Sequence, residues 1–227
     1  MDNTTFKNCT GLPEEGHLTT ARDISKMSAE LLKHRWITEF TTTWMDSVRD
    51  GEFGLNNTNK LVRFYEGTTG LKTGFTTQAL YCLSASAQRE GMELIAVVLK
   101  APSSDERFAS AKALLNYGFA NYALMKTDDG TPLPDVAVTL GRSETVKTEP
   151  DCPDALLVEK RLISSIEREM IMEESVDAPV KKGQKLGQLN FVSEGKMVYS
   201  ADIIAAEDVE KLSVWDIYIR MVKGLFA

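Results

Sequence analysis

"EGTTGLKTGFTT" (residues 66–77) is the stretch on which the reading of this chain turns. Glycines flank a single Lys72-Thr73 pair, and a run of alternating small and apolar residues follows. If Lys72-Thr73-Gly74 opens an edge strand beside a cleft, the Lys72 ammonium attracts a carboxylate and favours anionic states nearby. Thr73 can donate a hydrogen bond to the same carboxylate. Gly74 has no side chain, so an extended substrate can pair with the strand backbone at close range. Such a device recognises an anion and contains neither a nucleophile nor a general base. The same tripeptide also arises by chance in ordinary surface turns, so its neighbours must decide.

Composition narrows the field. The 227 residues are 43% hydrophobic and 26% charged, as in an ordinary globular protein with length for one large domain or two small ones. A net charge of -7 argues against a nucleic-acid partner, which would need a basic patch. No apolar run is long enough for a membrane-spanning helix, and the opening MDNTTFKNCTG has neither the basic nor the apolar part of a signal peptide. Cys9, Cys82 and Cys152 are widely spaced, and neither His17 nor His34 lies at ligand spacing from any of them. The expectation is inert thiols, no metal and no cofactor.

Local signals divide the chain. Thr20 and Asp23 form a capping-box pattern, with Ile24, Met27 and Leu31 at helical spacing, so a helix is expected over about Ala21 to His34. Residues 35–70 read as loops and short strands. Ala79 to Ala87 and Glu93 to Leu99 read as a hairpin joined through Gln88-Arg89-Glu90-Gly91. Ser103 or Ser104 caps a following helix whose face is Phe108, Ala111, Leu115 and Phe119. From the neighbourhood of residues 126–134 to about Ala205 the chain becomes short strand-like runs, with turns at 179–184 and at Ser193-Glu194-Gly195-Lys196. The tail from about residue 207 reads as an amphipathic helix with Leu212, Trp215, Ile219, Val222 and Phe226 on one stripe. Such a stripe suits docking on the protein itself or lying in a membrane interface.

Three segments, residues 6–32, 70–119 and 178–191, stand in an order that, together with K-T-G, resembles the serine-type D-alanyl-D-alanine carboxypeptidases, the low-molecular-mass penicillin-binding proteins of bacteria. The resemblance covers nearly the whole chain. It implies an α/β architecture, the C-terminal part of a penicillin-binding/β-lactamase-like transpeptidase domain, over residues 1–126. It further implies a small all-β domain over 127–206 and a membrane-anchor helix over 207–227. It also implies removal of the terminal D-alanine from peptidoglycan pentapeptide stems through an acyl-enzyme, on the outer face of the cytoplasmic membrane. Peptide stems, β-lactams and the membrane surface are the implied partners. Lys72, Thr73, Gly74 and Phe75 are the implied substrate-binding residues, with Phe75 bordering the groove.

The family's nucleophile lies in S-x-x-K and a second motif is S-x-N, both upstream of the segment matching residues 6–32. No S-x-N occurs here, and the one S-x-x-K, Ser193-Glu194-Gly195-Lys196, reads as a hairpin turn of the β-domain. No catalytic residue is therefore assigned within the chain. The expectation is a C-terminal portion of a longer carboxypeptidase, with half of a split enzyme and a non-catalytic envelope-binding or scaffolding module as the other readings. His17 is expected to support a helix cap and Arg107 to be a solvated charge.

Overall fold

The structure, a computed structural model, describes residues 1–224, with side-chain environments given through Val222. Two compact units divide it, Met1–Leu124 and Met125–Ala227.

In the first unit, helices α1 (Ala21–Leu32) and α2 (Ile37–Thr41) precede a hairpin of β1 (Met45–Val48) and β2 (Phe53–Asn56). Helix α3 (Leu61–Phe64) then leads into β3 (Thr68–Thr76), β4 (Leu80–Arg89), β5 (Met92–Ala101) and α4 (Ser104–Asn121). Strands β3, β4 and β5 form an antiparallel sheet in that order, with β4 central. One face carries Leu83, Ala85, Ala87, Met92 and Ala96, which pack against Phe108, Ala111, Leu115 and Phe119 of α4. Those four helix residues recur every three or four positions, so a single stripe reaches the sheet. Against the other face lies α1, where the hydroxyls of Ser28 and Ser84 meet at 2.7 Å in a buried contact.

Helix starts follow their caps. Thr20 Oγ1 accepts from the Asp23 N–H at 3.1 Å, and Ser103 Oγ accepts from the Glu106 N–H at 3.2 Å. The Asp23 carboxylate does not complete a reciprocal box; it accepts from the Thr4 hydroxyl (2.7 Å) and the Asn3 N–H (3.1 Å), tying the N-terminal segment to α1. The β4–β5 connection is shorter than the four residues expected. Gln88 and Arg89 stay in the strand, and Glu90 and Gly91, with φ of 49° and 80°, form a two-residue turn whose twist suits the hairpin. Residues 35–70 hold the helices α2 and α3 as well as the strands expected there.

In the second unit, reached along β6 (Tyr122–Lys126), come β7 (Val136–Thr139), β8 (Thr145–Val146), β9 (Thr148–Asp151), β10 (Ala155–Glu159), a 3-10 turn and β11 (Ile166–Met172). Strands β12 (Ser175–Asp177), β13 (Lys185–Ser193) and β14 (Lys196–Ala205) follow, and helix α5 (Val214–Gly224) ends the described chain. A four-stranded antiparallel sheet runs in the order β11-β13-β14-β9, and a three-stranded sheet in the order β12-β7-β8. Leu156, Val158, Leu189, Phe191 and Ile203 form one core, and Val136, Val138, Val146, Val180 and Leu186 belong to another. Ser193-Glu194-Gly195-Lys196 is the β13–β14 turn, with φ of 51° at Glu194 and 73° at Gly195.

The terminal helix begins later than residue 207. Val209 bridges Val180, Lys211 bridges Gly141, and the Leu212 N–H donates to Leu140 O at 2.8 Å, so this backbone is committed to the β-unit. Leu212 therefore lies before the helix. Ser213 caps it: its Oγ accepts from the Asp216 N–H (3.2 Å), and Asp216 Oδ2 accepts from the Ser213 N–H (2.9 Å). Trp215 and Ile219 are exposed (73% and 49%), Val222 is half-buried, and Phe226 lies outside the described residues.

Candidate functional site

Strand β3 pairs with β4 on one side, and within the sheet its other edge is open. Its first half is anchored: Thr41 Oγ1 donates to Thr69 O (2.6 Å), and Thr69 Oγ1 lies 2.7 Å from Ser86 Oγ and 2.8 Å from Glu93 Oε1. Its second half, Lys72 to Thr76, lines an open cleft of about 1230 Å³ whose other walls include Phe6, Cys9, His17, Thr58 and Arg107. Lys72 is exposed, and its Nζ donates to Thr73 O at 2.6 Å. Thr73 is buried, with Oγ1 2.6 Å from Thr58 Oγ1. Phe75 is exposed and packs on Tyr81, ring centroids 4.5 Å apart.

Gly74 is the telling position. Its φ is not positive, and a Cβ built there meets nothing closer than Cys82 Cβ at 3.9 Å. Neither backbone conformation nor packing within the chain demands glycine. What the missing side chain leaves is access to the strand edge.

Arg107 is not the solvated charge expected from sequence. It is 7% exposed, its Nη1 donates to Gly74 O (3.3 Å) and Cys82 O (3.2 Å), and its Nη2 reaches Ser104 Oγ (3.4 Å). The cause lies in the sheet. A register irregularity between Tyr81 and Leu83 leaves Cys82 without a β5 partner, and the guanidinium takes up its carbonyl. The charge sits against the rings of Tyr81 (5.5 Å) and Phe108 (4.6 Å), and burial lowers its pKa below the usual arginine value. At physiological pH it stays cationic. Three cations line the cleft, Lys7, Lys72 and Arg107; Lys72 is exposed on β3, and Arg107 is buried against it.

His17 is not part of a helix cap; Thr20 caps α1, and His17 Nδ1 accepts from the Lys7 N–H at 3.2 Å while its ring meets Phe6 edge-on. It shapes the wall formed by the first residues. Among the described residues no three His, Cys, Asp or Glu side chains come together to hold a metal, and the three cysteines are free. Ser193 of the S-x-x-K match is buried in the second unit, its Oγ 2.7 Å from Ser165 Oγ. Trp215, Ile219 and Val222 of the tail stripe lie on α5, also in the second unit. Arg107 and Thr58 were missed from sequence because their partners are 33 and 15 residues away, beyond any periodicity.

Residues 1–103 match the family profile described as D-alanyl-D-alanine carboxypeptidase, and residues 126–211 match that of the penicillin-binding protein 5 C-terminal domain. The chain belongs to the D-alanyl-D-alanine carboxypeptidase family. It is 38% identical over 218 residues to the D-alanyl-D-alanine carboxypeptidase DacF of Bacillus subtilis, covering 93% of this chain and 56% of that protein. DacA of Haemophilus influenzae is 28% identical over 239 residues, covering 100% and 60%. Among solved structures, penicillin binding protein 5 from Haemophilus influenzae superimposes with a TM-score of 0.76 at 27% identity, over 92% of this chain and 61% of that one. The chain therefore spans somewhat more than half the length of these relatives. The α/β unit followed by an all-β unit agrees with the architecture the sequence implied.

Proposed function

We propose that the cleft along β3 binds the C-terminal carboxylate of D-alanyl-D-alanine peptides, as the substrate-holding side of a serine-type carboxypeptidase of peptidoglycan maturation. The observation that carries this reading is Gly74, a glycine required by neither conformation nor packing, set between exposed Lys72 and buried Arg107 on an open strand edge. An extended peptide pairs with that edge, Lys72 and Thr73 hold its terminal carboxylate, and Phe75 borders the groove. β-Lactams, which also carry a carboxylate, occupy the same cleft.

The 227 residues alone bind without hydrolysing. Their one S-x-x-K is a hairpin turn with a buried serine, and no S-x-N is present. A fluorescent penicillin is expected to leave the purified chain unlabelled after denaturation, whereas covalent label on it would overturn this half of the reading.

The site of action is the outer face of the bacterial cytoplasmic membrane, with α5 lying in the interface. Exposed Trp215, Tyr218 and Ile219, with Arg220 on the same helix, support that placement. The same exposed stripe favours a second reading, a non-catalytic envelope-binding module. In that case membrane attachment survives loss of Lys72 and the β3 cleft binds no peptide.

A further inference from the structure

Thr58 stands outside the K-T-G tripeptide, yet its Oγ1 lies 2.6 Å from Oγ1 of Thr73 and it lines the same cleft. Its backbone is held on both sides. Asn57 Nδ2 donates to Thr41 O (3.2 Å) and Thr43 O (2.9 Å). Asn59, 1% exposed, donates through Nδ2 to Gly70 O (3.0 Å) and accepts the Leu61 N–H at Oδ1 (3.2 Å). The Thr58 hydroxyl is thus delivered to Thr73 by two clamped neighbours rather than by a mobile loop.

A hydroxyl has one proton to give, and a carboxylate only accepts. With the two oxygens at 2.6 Å, one of the two protons occupies the bond between them. If Thr73 donates to Thr58, it has nothing left for a ligand carboxylate. The opposite direction leaves the Thr73 proton facing the cleft and polarises it, because hydrogen bonds in a chain strengthen one another. We propose that Thr58 is a positioning residue for carboxylate recognition: its hydroxyl donates to Thr73 Oγ1 and so aims the Thr73 proton at the ligand. This rests on the carboxylate-binding reading of the cleft given above.

Titration of the isotopically labelled 227-residue chain with N-acetyl-D-alanyl-D-alanine, and with its C-terminal amide, tests it through the backbone amides of Thr73, Gly74 and Phe75. The unaltered chain should bind the acid more tightly than the amide. Thr58→Val keeps the shape and removes the hydroxyl, and is expected to weaken acid binding about three- to tenfold, the range of one net hydrogen bond. Thr58→Ala, with the same hydroxyl removed and no added bulk, should match it, and Thr58→Ser should restore binding. In a Thr73→Val background the relay has no terminus, so Thr58→Val should add less than about a twofold effect. Equal acid affinity with and without the Thr58 hydroxyl overturns the inference and leaves the carboxylate site standing. Equal penalties in both Thr73 backgrounds also overturn it, since they make Thr58 a scaffold residue. No binding of the acid by the unaltered chain overturns the carboxylate reading itself, and the inference with it.

Discussion

Arg107→Met asks how much of the β3 edge depends on one buried guanidinium. Methionine keeps an unbranched apolar stem and removes the guanidinium, which sits against the rings of Tyr81 and Phe108 and supplies the donors that hold Gly74 O and Cys82 O. A hydrogen bond from a charged donor contributes about 1.5 kcal/mol at the low end, the fitting end here because both contacts are part-buried and long, giving about 3 kcal/mol together. Methionine buries no charge, which offsets part of this and leaves a net loss of about 2 kcal/mol. For a unit of this size that lowers the melting temperature by about 8 °C. Denaturant unfolding followed by the fluorescence of Trp36 and Trp44, both in the first unit, measures the loss. Amide exchange should rise at Gly74 and its cross-strand neighbours while α4 stays protected. Arg107→Lys, with one point charge in place of a fork, should recover only part of the loss. Unfolding within about 0.5 kcal/mol of the unaltered chain, with unchanged exchange in β3, would show that Arg107 does not hold the strand.

Leu115→Ala empties a 1%-exposed position between α4 and the sheet and should cost about 2–5 kcal/mol in urea unfolding of the first unit. Asp129 in the second unit has its pKa lowered to about 2, first by its hydrogen bond from Arg168 and then by the Thr131 N–H. A depressed carboxyl pKa stabilises above the unfolded value and loses that effect as pH falls towards the folded one. Asp129→Asn should therefore melt below the unaltered chain at pH 7, with the difference closing between about pH 4 and pH 2. Ile219→Glu or Trp215→Glu should release the chain from anionic phosphatidylglycerol vesicles in a sedimentation assay, with melting unchanged because both side chains are exposed.

Elements set by nearby residues were legible before the fold. The α1 and α4 caps, the apolar stripe of α4, the β4–β5 hairpin and the Glu194-Gly195 turn each depend on residues within a few positions. The K-T-G tripeptide stands out because its residues are consecutive, but its reading rests on the neighbouring segments that carry the family resemblance, and the strand that holds it already begins at Thr68. What stayed hidden depends on distant pairing. Arg107 looks like an ordinary first-turn charge until the irregularity at Cys82 frees a carbonyl beneath it. Thr58 looks like loop filler until β3 folds back against it. The amphipathic pattern of the tail runs on through Leu212, but bridges to Gly141 and Val180 take that backbone, and helix starts only at the Ser213 cap.

The central claim is that Lys72, midway along β3, and the strand edge beside it hold a carboxylate. The most direct measurement compares N-acetyl-D-alanyl-D-alanine binding by the unaltered chain and by Lys72→Ala, using the amides of residues 73–75 as reporters. Lys72 is exposed, so its loss should leave the fold intact while removing a charge-assisted contact, weakening binding about tenfold or more. The account predicts shifts confined to the β3 cleft and reduced affinity in Lys72→Ala. Binding that maps elsewhere, or is indifferent to Lys72, would contradict it.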